Sequence, residues 1–325
     1  MNENKPILAV PIGDPNGVGP EILAAALATG APQREARLLL IGSEAAMRRG
    51  IEVAGARLEL VPASGPDEAL DAPDRVALCD RGLLDAAELG YGVESAACGA
   101  AVGAWIAHAQ ALAGAGAVQG VVMAPVNSEA MAAAGTLSTL MQAEPGSRLL
   151  TLFSGPLRIT HIFDHVYLRD VCAGLTAELV QRSIRLTHDT LQGWGVAQPR
   201  IGVAGLNPHA HGPEEDIAIA PGVERARAEG LDASGPISPD TVFRHCIDGR
   251  YDVVVAMCHD QGHIALKTWG FEGNCGGFIG MPYLFMTVGH GTAFDIAGRG
   301  IASPAMILSA LRQCGRFAAG RGFVD

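Results

Sequence analysis

The stretch ILAVPIGDPNGVGPEILAAALA, residues 7–28, decides the fold class. Its apolar run over 7–13 shows little polar alternation and reads as a strand buried on both faces. A glycine-punctuated turn follows, GDPNGVGPEI at 13–22, and Pro20 before Glu21 opens a helix predicted over 21–29. The alternation then repeats down the chain. RLLLIGS (37–43), GVVMAPV (120–126), LRITHIF (157–163), RIGVAGLNP (200–208) and YDVVVAMCHD (251–260) read as buried strands, with helices predicted over 95–114, 177–194, 222–229, 240–248 and 303–314. Strands separated in this way by helices specify an α/β chain.

With 325 residues, 49% hydrophobic and 18% charged, the sequence exceeds what one core holds, since single cores stop growing near about 250–300 residues. Two domains are expected, with a boundary near 127 after the small-residue stretch 109–119. The balance of 23 Lys+Arg against 34 Asp+Glu, net −11, excludes nucleic acid and anionic membranes as partners, because both need a basic face. A small-molecule substrate is expected instead. Seven scattered cysteines without a C-x-x-C pair read as reduced thiols. The polar N-terminus and the lack of about 18 uninterrupted apolar residues predict a soluble, cytoplasmic protein.

In open α/β sheets ligands gather beyond the carboxyl ends of strands. Three of those ends deliver a histidine: His165 after LRITHIF, His209 in GLNPHAHG and His259 in VVVAMCHDQG. Three imidazoles with an open fourth position describe a catalytic divalent metal site, although one histidine at a strand end is more often structural. His161, His211 and His263 lie close by, so the spacing leaves the choice of ligands open. HDQGHIALK (259–267) places Asp260, Gln261 and Lys267 behind His259, and Lys267 is a candidate for taking an alcohol proton. The turn at 13–22 suits an anion at a helix start but lacks G-x-G-x-x-G spacing, so no Rossmann fingerprint is present. GHGTAFDIAGRGIASPAMILSA (289–310) is a small-residue loop with one acid of buried type, Asp295, running into a helix.

That loop resembles the adenosine-binding loop of the isopropylmalate dehydrogenase group, and the turn at 13–22 resembles its N-terminal turn. The ordered set GDPNGVGPEI, APVN (124–127), HVYLRDV (165–171), GLNPHA (205–210), PDT (239–241), HDQG (259–262) and HGTAFDIAG (290–298) resembles the 4-hydroxythreonine-4-phosphate dehydrogenase (PdxA) family from residue 7 to about 312. The resemblance implies an isocitrate/isopropylmalate dehydrogenase-like two-domain α/β/α fold, a homodimer, and an active site in the interdomain cleft at the dimer interface. It assigns 1–127 plus 285–325 to a cofactor-side domain and 128–284 to a metal, substrate and dimerisation domain. The divalent metal, zinc first among candidates, falls on His165, His209 and His259, drawn from both subunits. Asp240, Asp260 and Lys267 fall on substrate-site positions. His290, Gly291, Asp295 and Gly298 fall on the cofactor loop, where a carboxylate favours NAD over NADP by repelling a 2′-phosphate.

The chain departs from the family where substrate phosphate is held. TLSTLMQAE (136–144) lacks the His and Thr of a G-H-T-E segment, Ser128 replaces the Lys after APVN, and Gly276 and Phe285 replace an Asn and an Arg. A phosphate dianion without charge-assisted donors would carry a desolvation cost of several kcal/mol. The leading expectation is therefore NAD-linked oxidative decarboxylation of an unphosphorylated hydroxy acid, a carboxylated aromatic cis-dihydrodiol as in the terephthalate dihydrodiol dehydrogenase branch. Oxidation of 4-hydroxythreonine 4-phosphate is the alternative. A non-catalytic metal- or metabolite-binding protein is the alternative of another class.

Overall fold

The computed structural model describes residues 5–138 and 147–324, which fall into two compact units. The first comprises Met1–Gln142 and Pro282–Ala319. Its strands lie in the order Glu59–Pro62, Arg75–Cys79, Arg37–Ile41, Ile7–Pro11, Gly120–Met123 and Leu284–Val288, all paired in parallel. Leu8 sits between Leu38 and Gly120 in register. Helices Gly19–Ala28, Glu44–Ala54, Ala96–Gly114 and Ala305–Ala318 cover this sheet, and Leu8, Leu39, Val121, Met286, Ile22 and Leu311 have no exposed surface. Ala96–Gly114 is long and apolar enough to cross a membrane, yet it buries Val102, Trp105 and Ile106 in this core.

The second unit comprises Ala143–Met281 and Gly320–Asp325. A hairpin of Leu149–Ser154 and Leu157–Phe163, turning at Gly155 (φ 54°), pairs antiparallel with Cys275–Ile279 on one side. On its other side Val253–Cys258, Ile201–Ala204 and Ala233–Ile237 add in parallel. Val253, Val255 and Met257 join a core with helices Ala177–Gly193 and Ala220–Ala228, while Val254 and Ala256 join another with Val242–Ile247 and His259–Trp269. Both faces of the strand are thus covered, which is why its sequence shows no polar alternation.

Several boundaries differ from expectation. Helix Ser128–Ala133, just past the boundary expected near 127, packs with the first unit: Asn127 caps it, and a methyl on Gly99 would lie 2.1 Å from the Ala130 carbonyl oxygen. The last six residues join the second unit, where Gly322 N donates to Trp194 O and the Phe323 ring packs against Phe153 and under Arg158. Residues 139–144 of the TLSTLMQAE departure lie outside the described residues. The described cysteines form no disulfide; Cys172 is exposed and the other six are buried.

Candidate functional site

Strand Val253–Cys258 ends directly in helix His259–Trp269, so His259 stands at the first helical position, at the mouth of a cavity of about 1000 Å³. Asp164, His165, Leu206, Gln261 and Ile264 line the same cavity. Gln261 locks the local backbone by accepting from Met257 N at 2.9 Å and donating to Gly205 O at 2.9 Å. The His259 Nδ1 lies 2.7 Å from Asp260 Oδ1, an arrangement that leaves Nε2 as the free ligating nitrogen. That contact with His259 holds the Asp260 carboxyl below its usual range, and Asp260 is otherwise open to solvent.

Two further histidines back this ring. His263 stacks on His259 with centroids 3.6 Å apart and donates from Nδ1 to the His259 carbonyl at 3.1 Å. Burial, and then the neighbouring His259, push its pKa down to about 4. His161 has no exposed surface; its Nδ1 donates to Leu150 O at 2.9 Å, and its Nε2 is buried without a partner. A methyl on Gly262 would lie 2.1 Å from that nitrogen, so glycine is what allows the helix to sit on the ring. Burial first, and the neighbouring histidines after it, push His161 down to about 3, so it is neutral. Neither His161 nor His263 is among the residues lining the cavity.

Asp164, which sequence reasoning passed over, completes the cluster. The ligating atoms of Asp164, His165 and His259 lie within 4.8 Å of one another, and the rings of His165 and His259 are 4.9 Å apart. Two imidazoles and a carboxylate around one point suit a divalent cation. The signal was an acid directly before the histidine, FDHVYLRD, which spacing rules for histidines do not weigh.

The remaining expected residues are placed differently. His209 is exposed and lies outside that cluster, in a left-handed backbone conformation (φ 57°) that costs a non-glycine residue about 1 kcal/mol or more. Its loop is clamped by Glu215, 2% exposed, which accepts from Leu206 N and Asn207 N at 2.6 and 2.7 Å. Burial works to raise the Glu215 carboxyl, and hydrogen bonds from Asn207 and Leu206 outweigh it and hold the group low. Asp240 is exposed and accepts from Ser238 Oγ and Thr241 Oγ1, which hold its carboxyl low; His209 adds to this. Lys267 is exposed two turns along the helix from His259, close enough to His263 to depress it.

In the first unit, the loop expected to bind the cofactor stands against the N-terminal turn. Gly298 (φ 79°) donates from its amide to Glu21 Oε2 at 2.7 Å, and Val18 N donates to Thr292 O at 3.0 Å. Glu21 is 4% exposed, its Oε1 is buried without a partner, and burial raises its carboxyl despite the Gly298 bond. His290 keeps Nδ1 on Gly291 O at 2.7 Å. Asp295 is exposed, which corrects the expectation of a buried acid: it lies in the turn between Thr292 and Gly298, where no element covers it. The buried acid of this region is Glu21. Of the positions read for lost phosphate contacts, Phe285 is 4% exposed in strand Leu284–Val288, Gly276 is buried in strand Cys275–Ile279, and Ser128 is exposed at the start of its helix.

Comparison with known proteins decides the family. Residues 34–314 match the family model described as pyridoxal phosphate biosynthetic protein PdxA. The chain belongs to the PdxA family. It is 47% identical, over 98% of its length and 97% of the relative's, to a Novosphingobium aromaticivorans protein provisionally named 4-hydroxythreonine-4-phosphate dehydrogenase. The crystal structure of a 4-hydroxythreonine-4-phosphate dehydrogenase from Burkholderia phymatum superposes with a TM-score of 0.85 at 32% identity, covering 97% of this chain and 99% of that one. A terephthalate 1,2-cis-dihydrodiol dehydrogenase from Burkholderia xenovorans LB400 superposes less closely, with a TM-score of 0.67 at 31% identity over 96% and 98%. The mixed α/β fold is therefore that of the PdxA dehydrogenases, and the chain is an oxidoreductase. The hydroxythreonine phosphate names stand nearer in fold than the dihydrodiol name. This reverses the order of substrates expected from Ser128, Gly276 and Phe285.

Proposed function

We propose that this PdxA-family chain oxidises the alcohol of a phosphorylated hydroxy acid of the 4-hydroxythreonine 4-phosphate type, with NAD as acceptor and a divalent cation as aid. The observation that carries this reading is the 47% identity, over nearly the whole of both chains, to a protein named for that reaction. His165, His259 and Asp164 would hold the cation, with zinc the first candidate, and their converging nitrogen and carboxylate donors fit one. His209 would serve as the third imidazole of the family set. When bound, such a cation supplies Lewis acidity that lowers the pKa of the substrate hydroxyl. Asp260 orients His259, and Lys267 takes the released proton, directly or through water. The loop His290–Gly298 would hold the adenosine end of NAD, with Asp295 accepting from the ribose hydroxyls; NADP is the second candidate. The same reading carries a cytoplasmic homodimer. Tyr167, Leu168 and Ile264, exposed by 74, 62 and 66%, give the cavity an apolar rim that a second copy would cover.

A second reading, oxidative decarboxylation of a carboxylated cis-dihydrodiol, is favoured by Ser128, Gly276 and Phe285, which offer a phosphate no cationic donor. There the new carbonyl, β to a carboxylate, would ease loss of carbon dioxide. Steady-state kinetics with added divalent metal and NAD decide between them. A higher kcat/KM for 4-phosphooxy-threonine than for the dihydrodiol is expected; the reverse order, with carbon dioxide released per NADH, overturns the first reading. NADH from neither substrate would point to the binding-only alternative.

A further inference from the structure

We infer that Asp164 is itself a metal ligand, so that a single chain supplies a His-His-carboxylate set, His165, His259 and Asp164, to the cation. This rests on the proposed metal site and goes beyond the three histidines that the family resemblance implies. Although the Asp164 side chain is 35% exposed, its Oδ1 atom is buried and has no hydrogen-bond partner. A carboxylate oxygen shielded from water and left without a hydrogen bond is stabilised when a positive charge meets it. Oδ1 lies 3.0 Å from His165 Nδ1, yet it lacks hydrogen-bond geometry to that nitrogen. Two donor atoms each about 2.1 Å from one ion, at angles of about 90–110°, stand about 3.0–3.4 Å apart, so this pair already has the spacing of neighbouring ligands.

The third member is ready as well. His259 Nδ1 is taken by Asp260, which leaves Nε2, and the ligating atoms of all three residues fall within 4.8 Å. The opposite limit, two donors across one ion, is about 4.2 Å, so small side-chain rotations close the set. Of the neighbouring histidines, His161 spends Nδ1 on Leu150 O and seals Nε2 under Gly262, His263 spends Nδ1 on the His259 carbonyl, and neither is among the residues lining the cavity. Asp164 and His165 come from one tight turn after strand Leu157–Phe163, closed by Val166 N on Asp164 O at 2.7 Å. An added carboxylate moves donor preference towards harder ions such as Fe²⁺, Mn²⁺ and Co²⁺ relative to an all-imidazole site.

The test is a Co²⁺ titration of metal-free protein against a competing chelator, read by affinity and by the visible absorption of bound Co²⁺, with thermal melting as the check on folding. Wild type should bind one Co²⁺ per chain. Asp164→Asn should weaken binding by about 10–100-fold or more and change the absorption spectrum, and Asp164→Glu should recover part of the affinity. His259→Ala, as control, should abolish binding. If His259→Ala binds as wild type does, the metal site is wrongly placed and the inference falls with it. If His259→Ala loses Co²⁺ while Asp164→Asn keeps wild-type affinity and spectrum, the site stands and the role of Asp164 is refuted. Should Asp164→Asn not fold, the Asp164→Glu spectrum decides: a spectrum identical to wild type refutes the assignment, and a shifted one supports it.

Discussion

The N-terminal turn of the first unit and the histidine cavity of the second treat their polar atoms in opposite ways. In the turn most groups are spent, with Glu21 Oε1 the buried exception. Asp14 Oδ1 accepts from Asn16 N at 2.9 Å, the Asn16 amide donates to Glu88 O and Val93 O, and its oxygen accepts from Gly90 N. Around the cavity, atoms are left over: Asp164 Oδ1 and His161 Nε2 are buried without a hydrogen bond, and the His165 side chain is 80% exposed. A region whose hydrogen bonds are already made has rigidity to offer a ligand, whereas one with unspent donors and acceptors has binding energy to offer. On the proposed function, the turn is framework for the loop from Thr292 to Gly298 and the cavity is where a cation would sit.

The largest test of that contrast lies in the cavity. His165→Ala should lower divalent-metal affinity by about 1000-fold, equivalent to about 4 kcal/mol. The metal-free protein should keep its stability to within about 0.5 kcal/mol, because an exposed side chain contributes little to folding. Chelator competition and urea melts measure the two quantities. A large loss of stability with unchanged metal affinity would make the histidine structural and erase the distinction.

Acid titration probes both regions at once, with opposite signs. Burial, only partly offset by the Asn16 hydrogen bond, raises Asp14 from 3.8 to about 6. Its folded-state pKa lies above the unfolded one, so its contribution is fully present below about 3.8 and is lost as pH rises to about 6; beyond that the buried carboxylate costs about 3 kcal/mol. His161 and His263 are lowered from 6.5 to about 3 and about 4, so their contribution is present above 6.5 and is lost as pH falls. Between about pH 4 and 6 the two slopes oppose each other. Asp14→Asn should therefore be more stable than wild type at pH 8 by about 1–3 kcal/mol and lose stability more steeply on acidification. Parallel pH curves for the two proteins, from urea unfolding, would show that Asp14 is not strained.

How much of this was readable beforehand follows from what each residue does. Strands 7–11, 157–163 and 253–258 were legible because burial on both faces leaves an unbroken apolar run. The edge strand Glu59–Pro62 and the glycine-rich Cys275–Ile279 carry no such run and were missed. Helix His259–Trp269 hid behind the polar HDQGH, because it buries only Gly262 and Leu266. In the site, His165 and His259 were legible as histidines at strand ends. Asp164 was not, since its significance is one oxygen left without a partner, which depends on the fold of its turn. Glu21 and Glu215 look like surface acids in the sequence but are 4% and 2% exposed, because each collects backbone amides from a distant or folded-back segment. The His209 backbone strain has no sequence signature at all.

The smallest expected effect sharpens the comparison from the side of the turn. A methyl on Gly17 would lie 2.8 Å from Thr292 Cβ and 2.9 Å from the Thr292 carbonyl oxygen, the same oxygen that accepts from Val18 N. Since that contact is partly backbone, Gly17→Ala cannot be absorbed by a side-chain rotation, and it should cost about 1–3 kcal/mol in urea unfolding. The displaced segment is Thr292 and the loop running to Asp295 and Gly298, so the KM for NAD should rise several-fold. Metal affinity measured by chelator competition should stay at the wild-type value. A framework role requires this pattern: stability and cofactor affinity fall together, and the cation is untouched. If Gly17→Ala lost metal while keeping its affinity for NAD, the assignments of the two regions would have to be exchanged.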